Sequence, residues 1–188
     1  MRAHRAGESA LLLLDVIDLL DQANVQYAVV GAMAASVHGV VRASMDADAV
    51  IAFPVHDLAT LEGQVRATGL GTELRYGDPD DPIAAVLRIS DSFGNGVDLL
   101  VGLRGLDPGA FARAVVVPFQ GEQLRVVGRE DFIAMKLFAN APLDVADAEF
   151  AAAGEPLDIE LPERLATRFG QETPDALRKF LARLGIRP

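Results

Sequence analysis

The chain has 188 residues, of which 51% are hydrophobic and 23% charged, a composition that supports a packed core and rules out a disordered chain. Its 17 basic and 27 acidic residues leave a net charge of −10. That balance argues against broad binding to duplex DNA, which relies on many Lys and Arg at phosphates, but leaves room for a local basic pocket. With no cysteine there is no disulfide framework, thiolate metal site or cysteine nucleophile.

The basic start Met1 to Arg5 and the apolar stretch Ala10 to Leu14 mimic a leader, but Asp15, Asp18 and Asp21 interrupt the apolar run too early. No segment reaches the roughly 18 apolar residues of a membrane span, so a soluble, cytoplasmic protein without membrane contact is expected. Leu12, Val16, Leu19, Leu20 and Ala23 recur at helical spacing and predict a helix over Glu8 to Asn24, with Ser9 near its cap. Gln26 to Val30 reads as a strand ending at Gly31. The small residues Gly31 to Val37 read as a helix, closed by Gly39. Asp46 to Phe53 reads as a second strand. Pro54 then opens a helix to about Thr68, with Leu58, Leu61 and Val65 on its apolar face.

Gly77 to Pro82 is loop chemistry, and Ile83 to Ser90 and Gly96 to Val101 form a predicted hairpin. A short helical piece at Ala110 to Ala114 precedes a second hairpin, Val115 to Phe119 and Gln123 to Val127. From Arg129 the texture is helical: Arg129 to Asn140, Leu143 to Ala153, Leu161 to Phe169 and Pro174 to Leu184. The expected organisation is a mixed core over 1–127 with a C-terminal helical part over 128–188 packed on it.

The chemistry concentrates at Asp46 and Asp48. Residues i and i+2 of a strand share a face, so the two carboxylates project together at the mouth of an otherwise apolar strand. Like charges held side by side call for a cation, and Mg²⁺ (or Mn²⁺) takes one or two carboxylates and completes its shell with water and phosphate. Asp98, in Gly96-Val-Asp-Leu-Leu-Val101, can join them from a neighbouring strand. Gly31 lets backbone approach a ligand closely, and a helix starting there offers free N–H groups to phosphate. His4 and His56 have no partner at ligand spacing, so no zinc site is expected. His38 reads as structural, Asp144 and Asp147 as a solvated helix face in the first place and as lining of the acceptor side of the cleft in the second, and Ser44 lacks the His and Asp of a serine nucleophile.

The order Tyr27-Ala-Val-Val-Gly-Ala-Met-Ala-Ala-Ser-Val-His-Gly39, then Arg42, then Met45-Asp-Ala-Asp-Ala49 resembles the polymerase-β-like nucleotidyltransferases. More narrowly, it resembles their minimal, toxin-associated AbiEii-type members. The likeness runs from about Leu12 to Phe150; Asp98 fits the place of the third acid, and Arg129 to Phe138 resembles the family's lysine-bearing helix. It implies an α+β fold with a mixed, palm-like sheet flanked by helices and a C-terminal helical extension. It also implies a metal-dependent enzyme moving a nucleoside monophosphate from a nucleoside triphosphate to a hydroxyl, possibly in a toxin–antitoxin pair with a protein partner. Asp46, Asp48 and Asp98 are then the catalytic and metal-holding residues, with Gly31, Ala32, Arg42 and Lys136 at the nucleotide. Ala32 stands where many members have Ser or a second Gly, which removes one hydrogen bond to phosphate. The alternatives are a degenerate nucleotide-binding or antitoxin-like module, or a metal-dependent phosphoesterase. The acceptor, whether an RNA end, a protein or a small molecule, is left open by the residues.

Overall fold

The computed structural model describes residues 1–40, 44–153 and 156–186. The N-terminal half contains α1 (Ser9–Gln22), β1 (Tyr27–Val30), α2 (Gly31–Val37), β2 (Asp46–Ile51), α3 (Leu58–Ala67) and β3 (Gly71–Tyr76). The long hairpin β4 (Ile83–Ser90) and β5 (Gly96–Leu103) follows, then α4 (Ala110–Arg113) and a second hairpin, β6 (Val115–Phe119) and β7 (Glu122–Val126). Four helices complete it: α5 (Arg129–Ala139), α6 (Pro142–Ala152), α7 (Glu160–Phe169) and α8 (Thr173–Arg183). The fold is α+β, with a mixed sheet in the order β3-β4-β5-β2-β1-β7-β6 flanked by helices. No helix among the described residues is long and apolar enough to cross a membrane.

The centre of the sheet explains the apolar runs. All four residues of β1 are buried, as expected of a strand covered on both faces. Strand β2 runs antiparallel to β1 and parallel to β5. On one face of β2 and β5, Ala47, Ala49, Ile51, Val97, Leu99 and Val101 are buried. Helix α1 packs against both strands, and the small Ala47 and Ala49 leave room for its Leu and Val side chains. The opposite face of the same two strands carries Asp46, Asp48 and Asp98, which are partly exposed. Alternation with period two therefore sorts one apolar layer from one acidic patch.

The start of α1 ties these strands together. Ser9 is buried; its hydroxyl donates to the Met45 carbonyl at 2.5 Å and accepts from the Gly96 N–H at 3.1 Å. The expected capping role does not materialise, because Glu8 occupies the cap position without a side-chain cap bond. Ser9 instead bridges the residue before Asp46 to the first residue of β5. Asn95, also buried, receives the Glu8 N–H at 2.7 Å and donates to the Asp91 carboxylate at 2.7 Å and the Arg5 carbonyl at 2.9 Å.

Helix α5 connects the sheet to the remaining helices. It packs against α6, α7 and α8, while Phe132, Ile133 and Leu137 belong to the same apolar core as the sheet residues. Two details depart from expectation. Strand β3 was not anticipated, because Thr-Glu-Leu-Arg-Tyr at a sheet edge has few apolar residues; its strand character comes from pairing with β4. The helix expected from Pro54 begins as a 3-10 turn at Val55–Asp57 before becoming α-helical.

Replacing Ser9 by Ala leaves the Met45 carbonyl and the buried Gly96 N–H without their shared partner. The expected cost is about 1–3 kcal/mol of unfolding free energy, read as a lower urea midpoint; an unchanged midpoint would show that the bridge contributes nothing.

Candidate active site

Three aspartates meet on one face because of register. Asp48 on β2 lies directly beside Asp98 on β5, and Asp46 lies beside Gly96. The next strand places Arg88 opposite Asp98. Its Nη1 lies 3.2 Å and 3.1 Å from the two Asp98 oxygens, and its Nη2 donates to Asp46 Oδ1 at 3.0 Å. One guanidinium thus bridges two of the three acids. Gly96 provides the floor: a Cβ there would fall 2.4 Å from Asp46 Oδ1 and 2.8 Å from Arg88 Nη2. Ser44 Oγ donates to the Asp46 carbonyl at 2.7 Å, bracing the entry to β2.

Burial raises the Asp98 carboxyl above the ordinary aspartate range; the Arg88 charge opposes this and the Asp46 charge adds to it. Asp48 points the other way along the sheet, against Gly31. A Cβ on Gly31 would lie 2.1 Å from Asp48 Oδ2, and Gly31 has φ +63°. Ala32, the next residue, is buried. Arg42 lies outside the described residues.

A cavity of about 440 Å³ extends from Gly31 and Asp48 along the sheet to α5. Its walls are chiefly apolar, with Ile83, Leu100 and Leu103 from the sheet and Phe132, Met135 and Phe138 from α5. Lys136 and Asp144 also line it. The Lys136 ammonium is engaged: Nζ lies 2.8 Å from both Asp144 Oδ1 and Asp147 Oδ2, and 5.6 Å from the centre of the Phe132 ring. The reading of Asp144 and Asp147 as a solvated face is therefore corrected. Their i, i+3 spacing on α6 turns both towards α5, and Asp147 is only 1% exposed.

His38 is structural, as expected. Its Nε2–H donates to the Val127 carbonyl at 2.8 Å, and its ring sits 5.3 Å from that of Phe132. Sequence reasoning missed Arg88 and Gly96. The available signal was one arginine inside the apolar run Ile83 to Ser90, spaced to face Asp98 across a hairpin.

The donor set suits a hard divalent cation, which prefers carboxylate oxygens. The arrangement does not. Among the described residues no three acidic or imidazole side chains gather as ion ligands; Arg88 stands between Asp46 and Asp98, and Asp48 is turned to Gly31.

No protein-family model matches the chain, and no curated protein matches it. Solved structures do. An antigenic nucleotidyltransferase-like protein from Paracoccidioides brasiliensis superposes with a TM-score of 0.57 at 16% identity, over 96% of this chain and 91% of that one. ANT(2")-Ia, solved in complex with adenylyl-2"-tobramycin, superposes with a TM-score of 0.50 at 18% identity, over 92% of this chain and 97% of that one. At these identities the likeness establishes fold, and the fold is that of nucleotidyltransferases.

Two substitutions test the local geometry. Gly31→Ala puts a methyl into the Asp48 carboxylate and strains a positive φ. It should cost about 1–3 kcal/mol in a denaturant melt and displace Asp48; wild-type stability would show that the backbone relaxes freely. His38 has its pKa lowered, chiefly by burial. The unfolded chain then takes up the proton more readily than the fold does. The stabilisation from neutral His38 is full above about pH 6.5 and is lost as pH falls. Between about pH 7.5 and 5.5 the melting temperature of wild type should drop further than that of His38→Gln, and parallel curves would discard this assignment.

Proposed function

We propose that this protein transfers a nucleoside monophosphate from a nucleoside triphosphate to a hydroxyl of a small-molecule acceptor. The observation that carries the reading is the in-register pair Asp48 and Asp98, with Asp46 on the same face, beside a cavity of about 440 Å³ that Gly31 and Asp48 line. A cavity of that size falls in the range of small-molecule sites, and a net charge of −10 disfavours a long nucleic-acid acceptor. The apolar walls favour an acceptor with an apolar body over a polycation. ANT(2")-Ia, with adenylyl-2"-tobramycin bound, supports a small-molecule acceptor for this fold.

In the transfer, the acceptor oxygen bonds to the α-phosphorus, the bond from that phosphorus to the bridging oxygen breaks, and pyrophosphate leaves. Asp98 is assigned the hydroxyl proton, and its burial, which raises the carboxyl above the ordinary aspartate range, suits it to accept one. Gly31, with no side chain, leaves room for the Asp48 carboxylate at the mouth of the cavity. Lys136, assigned to the nucleotide, lines the same cavity with its ammonium held by Asp144 and Asp147. The activity is assigned to the cytoplasm, where triphosphates are abundant. Membership of the toxin-associated group rests on the motif order at residues 27–49 and Asp98. A second reading, a degenerate nucleotide binder, is favoured by Arg88 neutralising two of the acids and by Ala32 in place of a hydroxyl.

The test is transfer of label from α-labelled triphosphates to pools of small hydroxyl compounds, RNA and protein. Wild type should label a small molecule, while Asp98→Asn should bind nucleotide yet transfer at least about 100-fold more slowly. Nucleotide binding by both proteins with transfer by neither would establish the degenerate reading.

A further inference from the structure

The cavity beside Asp48 joins apolar walls to an unbalanced set of charges. Leu100, Phe132 and Met135 line it, and among the described residues the charged ones in its lining are Asp48, Lys136 and Asp144. Lys136 Nζ lies 2.8 Å from Asp144 Oδ1 and 2.8 Å from Asp147 Oδ2, so one ammonium stands against two carboxylates. The two acids differ in place. Asp147 is buried and is not part of the cavity lining. Asp144 does line the cavity, and its side chain is 22% exposed. The surplus negative charge of the clasp is therefore presented at Asp144 to whatever enters.

A cation leaves water for an apolar cavity at acceptable cost only where a carboxylate meets it. A polycation brings further charges that apolar walls cannot match, and an anion meets an ammonium already held twice. We propose that the cavity binds a ligand with an apolar body and a single ammonium group, the ammonium being read by Asp144. The role of this ligand rests on the transfer reading: it is then the acceptor, an apolar amino alcohol whose hydroxyl takes the nucleotidyl group. A triphosphate that draws on Lys136 leaves Asp144 in greater need of a cation, so nucleotide and amino alcohol support each other's binding.

The probes are naphthylalaninol, naphthylpropanol, which lacks the ammonium, and naphthylpropanoate, which carries a carboxylate. The chain has no tryptophan, so naphthyl fluorescence follows binding to the full chain, with no nucleotide present. Wild type should bind naphthylalaninol about tenfold more tightly than naphthylpropanol, a difference near 1.4 kcal/mol, and naphthylpropanoate most weakly of the three. Asp144→Asn should cut the preference for the ammonium below about twofold while naphthylpropanol binds as in wild type. Glu149→Gln removes an acid of the same helix that is not in the lining, and should leave the preference within about twofold of wild type. Met135→Gln, in the apolar wall, should weaken all three ligands about fivefold or more.

Equal binding of naphthylalaninol and naphthylpropanol by wild type overturns the proposal. So does a preference that survives Asp144→Asn, or one that falls equally in Glu149→Gln, which would make it an effect of the net charge of −10. Binding unchanged in Met135→Gln places the ligand elsewhere and overturns it, as does absence of binding by every probe. If Asp144→Asn fails to fold, Lys136→Met strips both carboxylates of their ammonium and should raise the preference; no rise overturns the proposal. Transfer of label from triphosphate is measured separately. Selective binding of naphthylalaninol without transfer to any acceptor removes the transfer reading and leaves the cavity's preference standing.

Discussion

The constraint on which the structure turns is the repulsion among carboxylates brought together by strand register. Two unit charges about 4 Å apart repel by about 4 kcal/mol at the effective dielectric of a protein surface. Asp46 acts on Asp98 in this sense, and Asp48 shares their face, so the register carries an electrostatic cost unless each charge finds a partner. The register cannot slip to relieve it. A one-residue shift would carry Ala47, Ala49, Val97 and Leu99 from the core to the open face. Burial of the apolar face under α1 therefore holds the acids where electrostatics alone would not leave them. The bridge of Ser9 from Met45 to Gly96 fixes the same register at its open end.

The acidic face is relieved by basic residues delivered from outside β2 and β5. Arg88 comes from β4 and spans Asp46 and Asp98. A related device sets the helical side. Arg113, at the end of α4, makes two bonds of 2.8 Å and 2.7 Å to Asp131 in the first turn of α5, and Asp131 is buried. Lys136, five residues further along the same helix, clasps Asp144 and Asp147. Buried ion pairs contribute little net stability because desolvation offsets attraction, but breaking one leaves a stranded charge. Their effect here is positional. They set the roll of α5, which decides that Phe132 and Met135 face the sheet and enclose the cavity.

Much of this was legible in the residues. The apolar alternation of β2 and β5, the small helix after Gly31 and the four C-terminal helices carry strong local signals, and the structure reproduces them within a residue or two. The edge strand β3 carries none, since its charged and polar residues face solvent and its conformation is a consequence of the neighbour it pairs with. The acids were legible because carboxylates in an apolar strand need a reason. Arg88 was not, since its meaning depends on which strand lies beside which: Arg88 and Asp98 become neighbours through hairpin register. Asp144 and Asp147 were misread for the same cause. An i, i+3 pair of acids looks solvated until the helix that supplies their lysine is placed against them.

Charge also governs what can enter. A protein of net charge −10 repels a triphosphate at any distance within a screening length of about 8 Å, and three uncompensated aspartates would concentrate that repulsion at the site. The bridge from Arg88 to Asp46 and Asp98 offsets part of it before any ligand arrives. The two glycines complete the arrangement. Gly96 leaves room for the guanidinium between the strands, and Gly31 leaves room for the Asp48 carboxylate against the backbone. A methyl at either position would push a charged group outward into the approach. The absence of a side chain at these two points, together with one arginine on the neighbouring strand, lets a cluster of like charges form within a folded sheet.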